Sequence, residues 1–170
     1  MLRSAAVLDM YCIKPLDEQA IVRAAGNTNA VAWQCARAAD ICRRVEQTGA
    51  AEKIRTKTGL ALSSYFPASK LVWLKENVEG AKDLAEKHEL CFGTIDTWLV
   101  YKMTHGASYK TDYSNASRTQ LFDIFEKTWD EEICQLFGLD AQDLAEVCDS
   151  DSCFGGKYQL YRSSDLMAER

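Results

Sequence analysis

The segment from Tyr65 to Asn77 places chemically capable side chains at fixed intervals. It reads Y-x-P-x-x-K-L-x-W-L-x-E-N, and a string that fixes so many residue types rarely recurs by chance. Its lysine, Lys70, is a candidate ligand for a phosphate group. Lysines are far more often exposed than buried, so we predict that Lys70 lies on a helix surface. Tryptophans on helical stripes usually pack, which predicts core positions for Trp73, Trp98 and Trp129.

Metal or redox chemistry has little support in the sequence. The chain has seven cysteines, two histidines and no C-x-x-C pair, whereas zinc sites usually show paired ligands at close spacing. Cys35 and Cys42 would share one face of a helix. We interpret the cysteines as small buried hydrophobic residues. Residues 155–157 (G-G-K) lack the earlier glycine and the hydroxyl residue of a phosphate-binding loop, and are interpreted as a turn.

The composition predicts one globular domain and excludes some classes of partner. The chain has 170 residues, of which 47% are hydrophobic and 26% charged, which is ordinary for a soluble protein. The net charge of −5 argues against nucleic acid as a partner, because phosphate contacts need a basic surface. We find no apolar run long enough to span a membrane and no secretory signal. Reduced cysteines without a signal peptide predict a cytoplasmic protein.

Periodicity predicts an α/β fold with an excess of helix and few strands. We predict that Ser69 caps the helix of the Tyr65–Asn77 segment, and that Thr128 and Glu131 form a capping box. The predicted helices cover 37–48, 51–57, 81–87 and 95–105, and the predicted strands cover 90–92, 109–111 and 121–124. Residues 112–117 are predicted to form a polar loop.

Several blocks, in the same order, resemble the FGGY family of carbohydrate kinases, and within it the glycerol kinases. Besides the Tyr65–Asn77 string they are N-A-V-A-W-Q-C (29–35), T-G-L (58–60), F-G-T-I-D-T-W-L (92–99) and T-D-Y-S-N-A-S-R-T (111–119). The resemblance covers about residues 29–155. It implies part of a ribonuclease-H/actin-like kinase domain. It also implies a parent enzyme that transfers phosphate from ATP, with Mg²⁺, to glycerol.

The resemblance implies two substrate contacts, Trp33 and Tyr65, as aromatic walls of a polyol pocket. A polyol has an apolar C–H face that such rings can cover, and the phenol hydroxyl can bond to a substrate hydroxyl. Without the resemblance, both rings would be interpreted as core. The loop from Asp112 to Arg118 either faces the substrate cleft or is simply a satisfied turn. No catalytic, cofactor-binding or metal-binding residue carries over.

Other parts of the family's machinery have no match in the sequence. We find no Asp-x-Gly-Thr phosphate hairpin, no Arg-Glu pair before Trp33 and no Gly-Asp-Gln aspartate. We therefore expect a divergent segment (1–28), a partial first domain lacking the phosphate-binding strands (29–155) and a polar tail (156–170). The chain alone is expected to be inactive, to bind glycerol weakly, and to cover exposed strand edges by forming a homo-oligomer. The alternatives are a non-catalytic interaction or dimerisation module, or a kinase piece for another polyol or a ketose.

Overall fold

The computed structural model describes residues 11–12 and 35–155. Within them, most of the regular structure is helical, and the strands have only two or three residues. In chain order the elements are β1 (Tyr11–Cys12), a 3-10 turn (Ala36–Ala38), α1 (Ala39–Gln47), α2 (Ala51–Thr58), α3 (Pro67–Asn77), α4 (Ala81–Glu86), β2 (Phe92–Gly93), α5 (Ile95–Met103), β3 (Lys110–Asp112), α6 (Tyr113–Ala116), β4 (Phe122–Asp123), β5 (Thr128–Trp129), α7 (Glu131–Leu136), a second 3-10 turn (Ala141–Asp143) and β6 (Glu146–Cys148).

The ends of the helices follow from local chemistry. Helix α2 ends at Gly59, whose φ of 72° lies in the left-handed region that glycine adopts at little cost. The N–H of Gly59 donates to the carbonyl of Arg55 at 2.9 Å and so satisfies one of the last carbonyls of the helix. Helix α3 begins with Pro67, which has no N–H to leave unpaired in the first turn. Gly59 is thus a glycine stop at the end of α2.

Helix α3 lies at the centre of the fold. Residues 67–72 and Leu74 are buried, and the helix packs against α1, α4 and the first 3-10 turn. Full burial of a leucine such as Leu74 contributes about 1.5–3 kcal/mol, so this packing fixes the helix firmly. The core around it includes Ala38, Ile41, Val45, Ile54, Leu71, Leu90, Phe92, Leu121, Ile133 and Phe137. The three tryptophans predicted to pack, Trp73, Trp98 and Trp129, are partly buried against this core.

The strands pair two at a time. β3 and β6 run parallel, with Asp112 opposite Cys148. β1 pairs antiparallel with β2, and β4 pairs antiparallel with β5. A parallel bridge joins Phe92 to Leu144. Because parallel strands need a long connection, the β3–β6 pair brings the block at 111–119 beside a segment more than thirty residues later in the chain.

The α/β, helix-rich prediction is confirmed, but several local predictions are wrong. Ser69 lies buried inside the first turn of α3, after the extended N-cap residue Phe66. Thr128 lies in β5, and the cap of α7 is Asp130, whose Oδ1 accepts the N–H of Ile133 at 2.8 Å. In both cases strand pairing or core packing outweighed a local capping preference. Strand β6 was not predicted, because a three-residue strand carries almost no periodicity.

Two further predictions, the polar loop at 112–117 and the shared helix face of Cys35 and Cys42, are also wrong. The polar loop at 112–117 is largely helix α6, a single turn too short for a periodic signal. Cys35 precedes the first 3-10 turn and so does not share a helix with Cys42. Cys134 is buried as expected, and burial raises the pKa of its thiol to about 12, so it is chemically inert at neutral pH. Cys153, by contrast, is exposed.

Candidate functional site

Three separate stretches of the sequence meet at one open cleft of about 210 Å³. A cavity volume of about 10–15 Å³ is enough to hold one water molecule. The cleft therefore has room for a small polyol. Its walls come from the turn before α3, the start of α5 and the end of α6. Among the described residues, those that line it are Tyr65, Phe66, Pro67, Thr94, Ile95, Asn115 and Arg118.

Tyr65 forms an outer wall of this cleft. Its side chain is 47% exposed, and its ring meets the ring of Phe66 edge-on, with centroids 5.0 Å apart and planes at 79°. The guanidinium carbon of Arg118 lies 5.0 Å from the centroid of the same Phe66 ring, within cation–π range. Trp33, the other predicted aromatic wall, lies outside the described residues, so its position stays a prediction.

Lys70 is buried, so the predicted surface position is wrong. Its exposed fraction is 0%. Its ammonium group donates to the backbone oxygens of Ser64 and Tyr65, the second at 2.9 Å. A buried ammonium needs such acceptors, because its desolvation is otherwise costly, and carbonyls left in a tight turn need donors in return. Lys70 therefore holds the turn that carries Tyr65, and it does not line the cleft.

The T-D-Y-S-N-A-S-R-T block folds as a capped turn. Oδ1 of Asp112 accepts the backbone N–H of Asn115 at 2.8 Å and the side-chain amide of Asn115 at 2.9 Å. Ser150 donates to the other oxygen, Oδ2, at 2.5 Å. Partial burial alone raises the pKa of Asp112, but the hydrogen bonds from Ser150 and Asn115 outweigh it and hold the pKa below its ordinary value. The cap is therefore ionised at neutral pH.

This capped turn also docks on the start of α3. The N–H of Ala68, in the first turn of that helix, donates to the carbonyl of Thr119 at 2.9 Å. Gln120, next in the chain, donates from its side chain to the carbonyl of Ala61 at 2.6 Å. These bonds place Asn115 and Arg118 opposite Tyr65. The 112–118 turn is therefore satisfied by hydrogen bonds and also lines the cleft, and the prediction that this is the substrate cleft stays a prediction.

The third wall is the start of α5. Thr94 is extended, with φ −88° and ψ 173°, and its hydroxyl donates to one oxygen of Asp96. Thr111 donates to the other oxygen of Asp96 at 2.6 Å, which ties α5 to β3. Gly93 precedes this turn, and a Cβ built there would lie 2.9 Å from Thr97. Gly93 of the F-G-T string therefore lets the backbone lie close to the Thr97 side chain. This path of the chain brings Thr94 and Ile95 to the cleft.

Of the seven lining residues among those described, sequence reasoning named one, Tyr65, and left open whether the 112–118 loop faces the cleft. The other six all lie within or beside the blocks quoted above, but spacing along the chain does not reveal which side chains face one another. The sequence signal that could have pointed to these residues was the set of family blocks, since three of the blocks supply the three walls of the cleft. Within the part of the chain that the structure describes, no three His, Cys, Asp or Glu side chains are grouped to bind a metal ion.

Among the described helices, none is both long and apolar enough to cross a lipid bilayer. The described residues form an α/β domain with an open cleft between three of the sequence blocks. A sequence model described as "FGGY family of carbohydrate kinases, N-terminal domain" matches residues 23–161. The chain therefore belongs to the FGGY family of carbohydrate kinases.

The most similar curated relatives include two bacterial glycerol kinases. The enzyme of Pseudothermotoga lettingae is 49% identical over 127 residues, which is 75% of this chain and 26% of that protein. The enzyme of Carboxydothermus hydrogenoformans is 50% identical over 127 residues, which is 75% of this chain and 25% of that protein. The chain thus spans about a quarter of the length of these relatives.

Solved structures give the same fold. The glycerol kinase of Plasmodium falciparum with ADP superposes with a TM-score of 0.69 and 31% identity, covering 86% of this chain and 27% of that one. The gluconate kinase of Lactobacillus acidophilus superposes with a TM-score of 0.59 and 24% identity, covering 71% of this chain and 23% of that one. The prediction of a partial actin-like kinase fold, made from the sequence blocks, is confirmed.

Proposed function

We propose that this chain carries one wall of the polyol site of an ATP-dependent glycerol kinase. The observation that carries the proposal is the meeting of three family blocks around one cleft beside Tyr65. The parent enzyme would transfer a phosphoryl group from ATP, with Mg²⁺, to glycerol and give glycerol 3-phosphate. The identity to glycerol kinases supports glycerol over another polyol or a ketose.

In this proposal the chain tested alone is inactive. Phosphoryl transfer needs a phosphate cradle with bound metal and a group that orients the attacking hydroxyl. The 170 residues contain no Asp-x-Gly-Thr string and no Gly-Asp-Gln string. A coupled assay with the pure chain, ATP, Mg²⁺ and glycerol should give no glycerol 3-phosphate above a protein-free control. Turnover that scales with chain concentration would overturn this part of the proposal.

The aromatic wall is tested by binding. In this proposal Tyr65 and Trp33 cover the C–H face of glycerol, and the phenol hydroxyl bonds to a substrate hydroxyl. Replacing Tyr65 with phenylalanine keeps the ring and removes one hydrogen bond, which is worth about 0.5–1.5 kcal/mol. NMR titration with glycerol should show binding weakened by roughly twofold to tenfold for Tyr65→Phe, and lost for Tyr65→Ala.

The matched control for these variants is Phe125→Ala. Phe125 is 72% exposed on the β4–β5 hairpin and does not line the cleft, so its loss should leave the glycerol titration unchanged. Equal weakening by Phe125→Ala and Tyr65→Ala would count against Tyr65 as a substrate contact. Glycerol binding by the Tyr65→Ala variant as tight as that of the wild type would also count against Tyr65 as a substrate contact.

A homo-oligomer is the second candidate role. Leu99 and Met103 lie one turn apart on α5 and are 46% and 48% exposed, so the helix presents an apolar strip. A second copy of the chain would bury this strip. Light scattering should then give a dimer mass for the wild type and a monomer mass for the Leu99→Ser, Met103→Ser double variant. A wild-type monomer at high concentration would rule the role out.

A further inference from the structure

The β4–β5 hairpin carries two exposed apolar side chains at a place where polar residues are usual. Its four loop residues are Ile124, Phe125, Glu126 and Lys127, and all four are exposed. Ile124 is 39% exposed and Phe125 is 72% exposed, the largest exposed fraction of any large hydrophobic side chain among the described residues. Turns favour glycine, proline, asparagine, aspartate and serine, so an isoleucine followed by a phenylalanine is unusual here.

Hydrogen bonds fix the backbone of this loop. Oδ1 of Asp123 accepts the backbone N–H of Phe125 at 2.9 Å and that of Glu126 at 3.0 Å. The N–H of Ile124 donates to the carbonyl of Lys57 at 3.0 Å, which ties the hairpin to the end of α2. A side chain presented on a fixed backbone loses less freedom when a partner buries it. Phe125 thus has the exposed aromatic ring and the rigid backbone expected of an anchor in a protein interface.

The two charges of the loop are adjacent and of opposite sign. None of the ion pairs among the described residues involves Glu126 or Lys127. The ammonium of Lys127 lies 5.9 Å from the centroid of the Tyr113 ring, a cation–π contact that limits its freedom. In a two-fold contact each residue meets the counterpart of its neighbour, so a surface with an acid beside a base is complementary to a copy of itself.

We propose that the β4–β5 hairpin is the contact surface of a weak two-fold dimer of this chain. In this dimer Phe125 packs against the hairpin of the second copy, and Glu126 pairs with the partner's Lys127. One hairpin on each side is smaller than a standard protein interface, so the contact is transient. The inference rests neither on the polyol cleft nor on the apolar strip of Leu99 and Met103, because the hairpin contains none of their residues.

The proposal is tested by NMR of the whole chain at rising concentration. The amide signals of Phe125, Glu126 and Lys127 should shift with concentration towards a limit, and sedimentation should give a dimer as the larger species. The amides of Leu99 and Met103 report separately on the strip along α5. Hairpin signals that stay constant at every concentration would overturn the proposal. Shifts confined to α5 would overturn it as well and would leave the α5 strip as the dimer surface.

Charge variants test whether the second copy, and not a different protein, is the partner. Glu126→Lys turns two attractive pairs into two repulsive ones and should weaken self-association by roughly threefold to tenfold. The double variant Glu126→Lys, Lys127→Glu exchanges the two charges, so it should recover most of the wild-type association. A double variant as weak as Glu126→Lys would overturn the pairing. Glu79→Lys makes the same charge change at an exposed residue after α3 and should associate like the wild type.

Phe125→Ser tests the apolar part of the contact and separates this inference from the proposed function. It should weaken self-association by about tenfold or more, as the loss of an interface anchor does, and an unchanged association would overturn the proposal. If glycerol binds at Tyr65 but the hairpin does not self-associate, the dimer contact is refuted and the polyol site stands. If the hairpin self-associates but glycerol does not bind, the polyol site is refuted and the dimer contact stands.

Discussion

Replacing Lys70 with methionine removes a buried ammonium and keeps a side chain of similar length. In the wild type this ammonium donates to the carbonyls of Ser64 and Tyr65. A hydrogen bond to a charged group contributes about 1.5–3 kcal/mol, so two such bonds stabilise the turn by roughly 3–6 kcal/mol. Desolvation of a buried ammonium costs several kcal/mol and offsets part of this.

The freed carbonyls can partly reach water, because Ser64 is only half-buried and Tyr65 is exposed. The net expectation for Lys70→Met is therefore a loss of about 1–3 kcal/mol in the free energy of unfolding. The matched control is Lys82→Met on α4. Lys82 is exposed and lies 3.9 Å from Glu86, an ion pair worth little. The control should change the unfolding free energy by less than about 0.5 kcal/mol.

Urea denaturation followed by circular dichroism measures both variants. Amide hydrogen exchange adds a local readout, because the N–H of Ala68 is bonded to Thr119 next to the turn that Lys70 holds. We expect lower protection of Ala68 in Lys70→Met and unchanged protection in Lys82→Met. A Lys70→Met chain as stable as the wild type, with Ala68 equally protected, would refute the reasoning. It would mean that the desolvation cost of the ammonium equals the strength of its bonds.

Three other substitutions test the packing and the electrostatics of the fold. Gly93→Ala places a Cβ 2.9 Å from Thr97, and such overpacking should destabilise the chain by about 1–3 kcal/mol in thermal or urea unfolding; a change below 0.5 kcal/mol would contradict the close approach. Thr97→Val should stabilise by roughly 1 kcal/mol, because the Thr97 hydroxyl is buried without a hydrogen-bond partner, and Thr97→Ser, which keeps the hydroxyl, is its control. Asp130→Ala should cost about 1–2 kcal/mol at pH 7, because Asp130 caps α7 and pairs with Lys57. Burial alone raises the pKa of Asp130, but the bond from Lys57 and the N–H of Ile133 outweigh it, so the folded pKa lies below the unfolded one. The stabilisation is then present above about pH 4 and is lost as the pH falls through the folded pKa, and a wild-type-to-variant difference that stays constant from pH 7 to pH 3 would disprove the assignment.

Much of the fold was predictable because it depends on neighbours in sequence. Helices α2 and α4 have nearly the predicted bounds, and α1 and α5 the predicted positions, since apolar periodicity and glycine stops act within one or two turns. The second 3-10 turn begins after Asp140, which accepts the N–H of Gln142, two residues on, at 2.9 Å. The family resemblance, likewise, required only the order and content of the blocks.

The wrong predictions at Thr128 and Lys70 concern partners that come within bonding distance only once the chain has folded. Thr128 and Asp130 compete for one cap, and strand pairing with Asp123 decides against Thr128. Lysine is usually a surface residue, and only the backbone carbonyls of the folded turn make the burial of Lys70 favourable. A statistical preference for exposed lysine takes no account of carbonyl acceptors that folding brings within reach of the ammonium.

The sequence by itself determined the class of the chain and one wall of its cleft. The blocks identified the FGGY family, and the Tyr65–Asn77 string supplied Tyr65. Only the tertiary structure decided that Arg118 stacks on Phe66 in the same cleft as Tyr65, and that Lys70 holds the turn from within. The physical reason is that charge and hydrogen-bond partners in this cleft come from segments about fifty residues apart. Their electrostatics therefore exist only once α3, α5 and α6 are packed together.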